Sequence, residues 1–348
     1  MRILFAAPVT FDRITIFISH YVTGLSRAAR RLGHESRIVQ TPELDHNPRR
    51  GKFLDSEYET LRRYWRGAAD FPQELELMLK LHREVSEFKP DILFLHLIDT
   101  TSVHMILDSI RKSGTLVLMW LGVHPSQVSS GIHRLAARSD CTLIYDPRYV
   151  EYYENALGIY NTRLLPLGCD IEYYDSVTPD DKFKKDYGAD ICFSGMVDPK
   201  REEYLRALSG MNPGIWTWDR ENLSDDLKQF YRGEAYGDKL IKILKSSKIA
   251  LNVHREFEIS GGNYRLFEIP ASGVLQVADE KCDIGKYFEP DREIVTFTGP
   301  EDLVRKVKYY LKHEGEREEI ALAGYGRVKK DHALIHRMKK IVEIAESL

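Results

Sequence analysis

Cysteine is scarce in this chain and never paired in sequence. The four residues, Cys141, Cys169, Cys192 and Cys282, form no C-x-x-C motif. That spacing excludes a zinc-ribbon site and a dense disulfide framework, and the expectation is a reduced, cytoplasmic protein. No stretch approaches the ~18 consecutive apolar residues of a membrane span. The opening segment, MRILFAAPVTFDR, has a short apolar run without a basic n-region or a small-residue cleavage site, so it reads as a first strand and not as a signal peptide. Any membrane contact is expected to be peripheral. Charge of one sign is lacking too: Lys and Arg total 50 against 53 Asp and Glu, a net of −3. A chain built to coat nucleic acid would need a clear basic excess. Tandem repeats and low-complexity tracts are absent. What is present is 348 residues, 43% hydrophobic and 30% charged, enough for about two globular domains.

Both halves alternate strand and helix. In the first, RILFAA (2–7), ILFLHL (92–97) and Leu116–Leu121 are apolar runs of the kind buried on both faces of a parallel sheet, with further strands at 36–40 and 141–145. Helical spacing runs from His20 to Leu32 and closes on Gly33, and helices are expected near 56–66, 73–88, 100–112 and 131–138. Residues 170–189 are polar and low in aliphatics and read as a linker. Beyond them the alternation restarts, with strands at 190–194, 215–218, 249–253 and 274–277, and helices at 200–209, 238–246, 263–271 and 301–312. The last ~30 residues are helical. The expected architecture is α/β, two facing Rossmann-like doubly wound domains. Residues 1–168 form the first, 169–187 a linker or hinge, and 188–348 the second, with the last helix (about 329–348) crossing back to the first. Ligands in such folds meet the carboxyl ends of the strands, so chemistry is sought in those loops.

The richest loop is LNVHREFEISGGNYRLFEIPASG (251–273). A strand ends in His254, Arg255, Glu256 and Glu258. Gly261 and Gly262 then precede Asn263, a probable N-cap, and a helix carrying Arg265 and Glu268. A glycine pair before a helix permits close backbone approach, and the helix N-terminus favours an anion such as a diphosphate. Glu268, about a turn and a half in, suits two vicinal hydroxyls, as on a ribose. Against this stands the plain reading of a flexible turn and a solvated helix residue. A second loop, FSGMVDPKR (193–201), ends a strand in Gly195 and brings Lys200 and Arg201, either of which would stabilise a departing diphosphate. In the first half, His96 and Asp99 follow one strand and His124 another, candidates for proton transfer set against the commoner structural histidine. Asp12 and Arg13 follow the first strand. Trp216, Trp218 and Asp219 end a short strand, where an indole can stack on a base or simply pack, and Tyr236 starts the next helix. The acidic run at 313–319 reads as a solvated face, the tyrosines 145, 149, 152 and 153 as packing or an acceptor-site wall, and the arginines 27, 30, 31 and 37 as a solvated helix face in preference to a contact with an anionic acceptor or membrane surface.

The run R-x-F-E-x-x-A-x-G (Arg265, Phe267, Glu268, Ala271, Gly273), with Leu251, Asn252 and His254 upstream, resembles the CgeB/YkvP-like branch of group 1 glycosyltransferases. The likeness covers roughly residues 187–340, and LPLGCD (165–170) is similar to that family's domain junction. The resemblance implies a GT-B fold, a nucleotide-diphosphate-sugar donor on the C-terminal domain and an acceptor on the N-terminal one. By position Glu268 matches the second glutamate of the E-x7-E pattern. The first falls on Ser260, a departure that leaves Glu256 or Glu258 as substitutes. The reading is a glycosyltransferase for hexosyl or related transfer, retaining and metal-independent, since no D-x-D motif stands in a suitable loop. The catalytic candidates are His124, His96 and Glu258. The donor set is Glu268, Arg265, Asn263, Gly262, Gly261, Lys200, Arg201, Gly195, Trp218 and Tyr236. The acceptor, whether glycan, lipid-linked or protein, stays open. The alternatives are a sugar-nucleotide epimerase and a non-catalytic nucleotide-sugar-binding or surface-assembly protein, which Ser260 favours.

Overall fold

The computed structural model describes residues 1–7, 16–41, 77–96 and 101–348, with the side chains of 16–18 and 101–102 left aside. The helix expected at 56–66 and the candidates Asp12, Arg13 and Asp99 lie outside the described residues. The chain divides into two compact units: Met1–Leu165 with Met338–Leu348, and Pro166–Arg337.

The first unit is built on one parallel sheet of β1 (Arg2–Ala7), β2 (Glu35–Gln40), β3 (Ile92–His96), β4 (Leu116–Leu121), β5 (Cys141–Ile144) and β6 (Thr162–Leu164), in the order β2-β1-β3-β4-β5-β6. The apolar runs sit in the middle of it. Ile3 to Ala7 and Ile92 to Leu95 are all fully buried, as strands covered on both faces must be. Between β5 and β6 lies a helix, Pro147–Leu157, that hydrophobic spacing alone did not suggest. Its start is set by Asp146, whose carboxylate accepts from the Arg148 N–H, and by Pro147 at the first position. Its end is Gly158 at φ +66°.

The second unit carries β7 (Ala189–Ser194), β8 (Gly214–Trp216), β9 (Tyr231–Gly233), β10 (Ser247–Asn252), β11 (Leu275–Asp279) and β12 (Val295–Phe297), all parallel, in the order β12-β11-β10-β7-β8-β9. Side chains alternate between two apolar layers. Ile191, Phe193, Ile215, Ile249 and Leu251 enter one cluster, while Cys192, Trp216 and Ala250 enter the other. The chain leaves β7 toward β8 on one side and returns to β10 on the other. The loops after β7 and β10 therefore diverge, which is the topological switch point where an open α/β sheet leaves a crevice.

Residues 170–187 are not an open linker. They hold two short helices, Ile171–Ser176 and Asp181–Tyr187, inside the second unit. Asp170 and Asp180 cap them through the Tyr173 and Phe183 N–H groups, so the acidic residues that look like linker composition are helix starts. Aromatics join the one buried aliphatic, Val177, as anchors. Phe183 stacks on Tyr187 at 4.6 Å and both pack on the cluster around Trp216, while Tyr174 is buried. The last helix, Leu334–Glu346, follows a π-turn at Val328–His332, and from Met338 onward it belongs with the first unit.

Candidate functional site

The glycine loop after β10 is held at both ends. Asn252, the last residue of β10, exchanges two side-chain amide bonds with Asn263, at 3.1 and 3.0 Å. Asn263 also caps the helix Tyr264–Ala271, its Oδ1 accepting from the Leu266 N–H at 2.9 Å. Pro270 has no N–H to give the Leu266 carbonyl four residues back. The buried Gln276 side chain supplies one instead, at 3.4 Å. Gly261 has φ +90°, and a Cβ there would meet Lys281 Cβ at 2.7 Å and Ile284 Cγ1 at 2.9 Å. The backbone passes so close to the segment after β11 that only glycine fits. Gly262 lies against the Tyr287 ring.

Arg265 and Glu268 form an ion pair one helical turn apart. Arg265 Nε also donates to the Ser194 carbonyl at the end of β7, at 3.2 Å. Burial works against the guanidinium charge, and Glu268 outweighs it, holding Arg265 above the usual arginine value. The other Glu268 oxygen accepts from the Tyr174 hydroxyl at 2.8 Å. Burial, with Glu268 adding to it, pushes the Tyr174 phenol well up, so it remains a proton donor. Each carboxylate oxygen therefore has one donor and a lone pair to spare. Tyr174, on the short helix after Asp170, left no mark in the sequence pattern.

Lys200 and Arg201 are adjacent but do different things. Arg201 is buried, and donates to the Val253 carbonyl at 2.8 Å and the Met196 carbonyl at 2.9 Å, lacing the two loops together. Lys200 Nζ, one-fifth exposed, donates to Asp279 Oδ2 at 2.7 Å and to the His254 carbonyl at 2.9 Å. Asp279, the last residue of β11, is the carboxylate that sequence reasoning missed, although its place at the carboxyl end of the strand LQVAD was the available signal. Burial pushes its carboxyl upward, but bonds from His254 and Lys200 win and hold it well below the usual carboxylate range. Lys281 sits 3.7 Å from the same carboxylate. Burial lowers it, Asp279 opposes that, and Lys200 adds repulsion. An open cavity of about 520 Å³ adjoins these groups, lined by Lys200, Tyr204, Asp279, Lys281, Cys282 and Thr298.

The remaining candidates fall in place as follows. Gly195, at the end of β7, donates its N–H to the Trp216 carbonyl at 3.1 Å. Trp216 is fully buried and belongs to the core, whereas Trp218 is 46% exposed and stacks with Tyr236 at 6.4 Å. Two aromatics proposed separately thus form one partly exposed pair beside β8. Glu258 accepts from the Arg255 N–H at 2.8 Å and lies 4.0 Å from Arg201, closing its own loop turn, while Glu256 is exposed. Ser260 is fully buried, and its carbonyl accepts from the Asp283 N–H. In the first unit, His96 is fully buried at the end of β3, with Nδ1 on the Trp120 carbonyl at 2.9 Å and the ring against the Trp120 indole. His124 is half-buried beyond β4. Its Nδ1 pairs with the Ser126 hydroxyl at 2.6 Å, and its ring meets Tyr149 edge-on.

Two parallel six-stranded sheets with helices on both faces, the second with its glycine-bearing loops at a switch point, define the GT-B fold. Solved structures agree over the whole length. A glycosyltransferase from Rickettsia africae has 14% identity, covers 99% of this chain and 98% of its own, and has a TM-score of 0.66. HepE of Anabaena in complex with UDP-glucose has 12% identity, covers 100% of both chains, and has a TM-score of 0.64. An alpha-glucosyltransferase in complex with UDP and DNA has 12% identity, covers 99% of both chains, and has a TM-score of 0.66. Residues 196–343 match the family described as glycosyl transferase-like, a stretch that begins just after Gly195 and includes the Gly261–Gly262 loop. No curated protein sequence matches the chain. No helix among the described residues is long and apolar enough to cross a membrane.

Proposed function

We propose that the protein transfers a glycosyl group from a nucleotide-diphosphate sugar, which binds at the carboxyl edge of the second unit's sheet. One observation carries this reading. Along that edge, in strand order, stand the Trp218–Tyr236 pair by β8, its indole exposed, the Gly195 turn after β7, and the Gly261–Gly262–Asn263 loop after β10. An aromatic face, a carboxylate with spare lone pairs (Glu268) and a glycine-led helix start follow the order base, ribose, diphosphate. Arg265 and Lys200 supply positive charge beside it, so metal-independent stabilisation of the leaving group is part of the proposal. The glycosyl transferase-like match over this unit and the UDP-glucose bound to HepE support the donor class. Membership of the CgeB/YkvP-like branch and retention of configuration are carried as proposals from the sequence resemblance. The first unit would take the acceptor, with His124 as its candidate for proton transfer.

Thermal unfolding with UDP, GDP, ADP, CMP and TDP tests the donor site. A nucleotide at 100 times its dissociation constant stabilises by about 2.7 kcal/mol. The expected result is one nucleotide that shifts the wild type and not Glu268→Ala. No shift with any nucleotide would retire the reading. Ser260 favours one second reading, a nucleotide-sugar-binding protein without transfer, because this position is buried and carries no carboxylate. Binding without turnover of the matching nucleotide sugar would select it.

A further inference from the structure

We propose that His254 is a buried imidazolium that positions the glycine loop and aims the Gly262 N–H at the donor's diphosphate. The ring is fully buried. Its Nδ1 lies 2.7 Å from Asp279 Oδ1 and its Nε2 lies 2.9 Å from the Gly261 carbonyl oxygen. A carbonyl only accepts. The carboxylate also only accepts, because Asp279 already takes the His254 backbone N–H at 2.7 Å and the Lys200 ammonium at 2.7 Å. Both ring nitrogens must therefore donate, and a ring that donates twice carries the charge. His332, buried in the same unit, shows the opposite arrangement. Its Nε2 faces the Tyr287 carbonyl at 2.8 Å, but its Nδ1 faces the Arg337 guanidinium at 3.1 Å, so one nitrogen donates and the other accepts.

The consequence lies in the peptide that His254 grips. The Gly261 C=O and the Gly262 N–H belong to one planar trans unit and point in opposite directions. Drawing the carbonyl onto Nε2 turns the Gly262 N–H away from the ring. The preceding peptide is fixed in the same manner, since the Ser260 carbonyl takes the Asp283 N–H at 3.2 Å. Two successive carbonyls are thus tied down by the protein. The positive φ of Gly261 lets the chain make this turn without strain. The charged groups tied to this network are Asp279 and Lys281 at the end of β11, Lys200 and Arg201 on the helix Pro199–Ala207, and Arg255 and Glu258 on the loop itself. His254 touches no reacting atom; it is a positioning residue.

The role in donor binding rests on the proposed function, whereas the ring's charge and the loop's order do not, and the experiment separates them. Protein labelled with ¹⁵N-histidine is observed at neutral pH, with His254 and His332 assigned through their sequence neighbours. Two N–H protons on His254 and one on His332 are expected, and a single N–H on His254 overturns the proposal. Amide exchange is then compared between wild type and His254→Gln. Faster exchange by about tenfold confined to residues 255–263 is expected, since one charge-assisted bond is lost. Unchanged exchange there, or a rise spread equally over β10 and β11, overturns it. His332→Gln serves as the control for simple destabilisation. The nucleotide that shifts the wild type should bind His254→Gln at least tenfold more weakly. Equal affinity in the two proteins overturns the positioning role. If no nucleotide binds the wild type, the donor reading fails, while the proton count and the exchange pattern still decide whether His254 holds the loop.

Discussion

Replacing Asp279 by Asn isolates the charge at the centre of the site. The carboxylate is 7% exposed, with Oδ1 accepting the ring and backbone N–H of His254 and Oδ2 accepting Lys200. Asn keeps nearly the same shape. Turned with its oxygen toward His254, it retains both of those bonds but presents an amide N–H₂ to the Lys200 ammonium, donor against donor. It also leaves a buried imidazolium without its counter-charge. Removing one partner of a buried pair costs about 3–5 kcal/mol. Lys200 is partly exposed and can swing toward water, so the lower end, about 3 kcal/mol, is the expected loss. For a unit of this size that is a fall in midpoint of roughly 6–12 °C. The assay is thermal and urea unfolding, followed by Trp216 and Trp218 fluorescence. The pH dependence adds a check of sign. The folded carboxyl is held below its unfolded value, so the Asp279 contribution is complete above about pH 4 and disappears as the pH falls through the folded pKa. The gap between wild type and variant should be flat from neutral pH to about 4 and close below that. A loss under about 1 kcal/mol at neutral pH, or a gap that widens in acid, would refute the reasoning.

Three further outcomes follow from the geometry. Gly261→Ala should lose about 2–4 kcal/mol in urea unfolding, from a side chain at positive φ and from overpacking against Lys281 and Ile284; a wild-type midpoint would show that the loop can move aside. Trp218→Ala should leave stability within about 0.5 kcal/mol, because the ring is half exposed, yet weaken nucleotide binding about tenfold through lost stacking; calorimetric titration reads both the sign and the size. His332 is pushed down to about 4 by burial, with the neighbouring arginines adding to it and the Tyr287 carbonyl opposing. A folded pKa below the unfolded ~6.5 means a contribution complete above pH 6.5 and lost progressively as the pH falls to the folded value, about 3 kcal/mol in all. The acid side of the wild-type stability curve between those pH values should therefore be steeper than that of His332→Gln.

Some of this was legible from the chain alone, for definite reasons. β1, β3, β4 and β10 announce themselves because strands buried on both faces must be apolar throughout. Asn263 was legible as a cap because a short polar residue before a helix has a definite job. The three-residue strands β6, β9 and β12 were not, since three residues carry no period. The helix Pro147–Leu157 carried its signals at its ends, in Asp146, Pro147 and Gly158, and not in its apolar spacing. The stretch 170–187 misled because only Tyr174 and Val177 are buried there, with Phe183 and Tyr187 partly buried against the neighbouring cluster. Tyr174 and Asp279 reach the site from distant parts of the chain, and no local pattern reports a partner 94 residues away.

Histidine shows most clearly where a sequence stops informing. His96, His124, His254 and His332 are the same side chain at strand ends and turns, and their chemistry is set by what faces each nitrogen. His96 lies under an indole with one nitrogen on a backbone carbonyl. His124 receives the Ser126 N–H and sits partly in water. His332 sits between a donor and an acceptor, and His254 between two acceptors. The resemblance counts His254 in its motif, but a motif records only identity and spacing. The second carboxylate oxygen of Asp279, already taken by Lys200, is what forces the proton onto the His254 ring. A loop lacking a carboxylate at position 260 can thus still be fixed and positively backed, since the order comes from beneath the glycines and not from the residue before them.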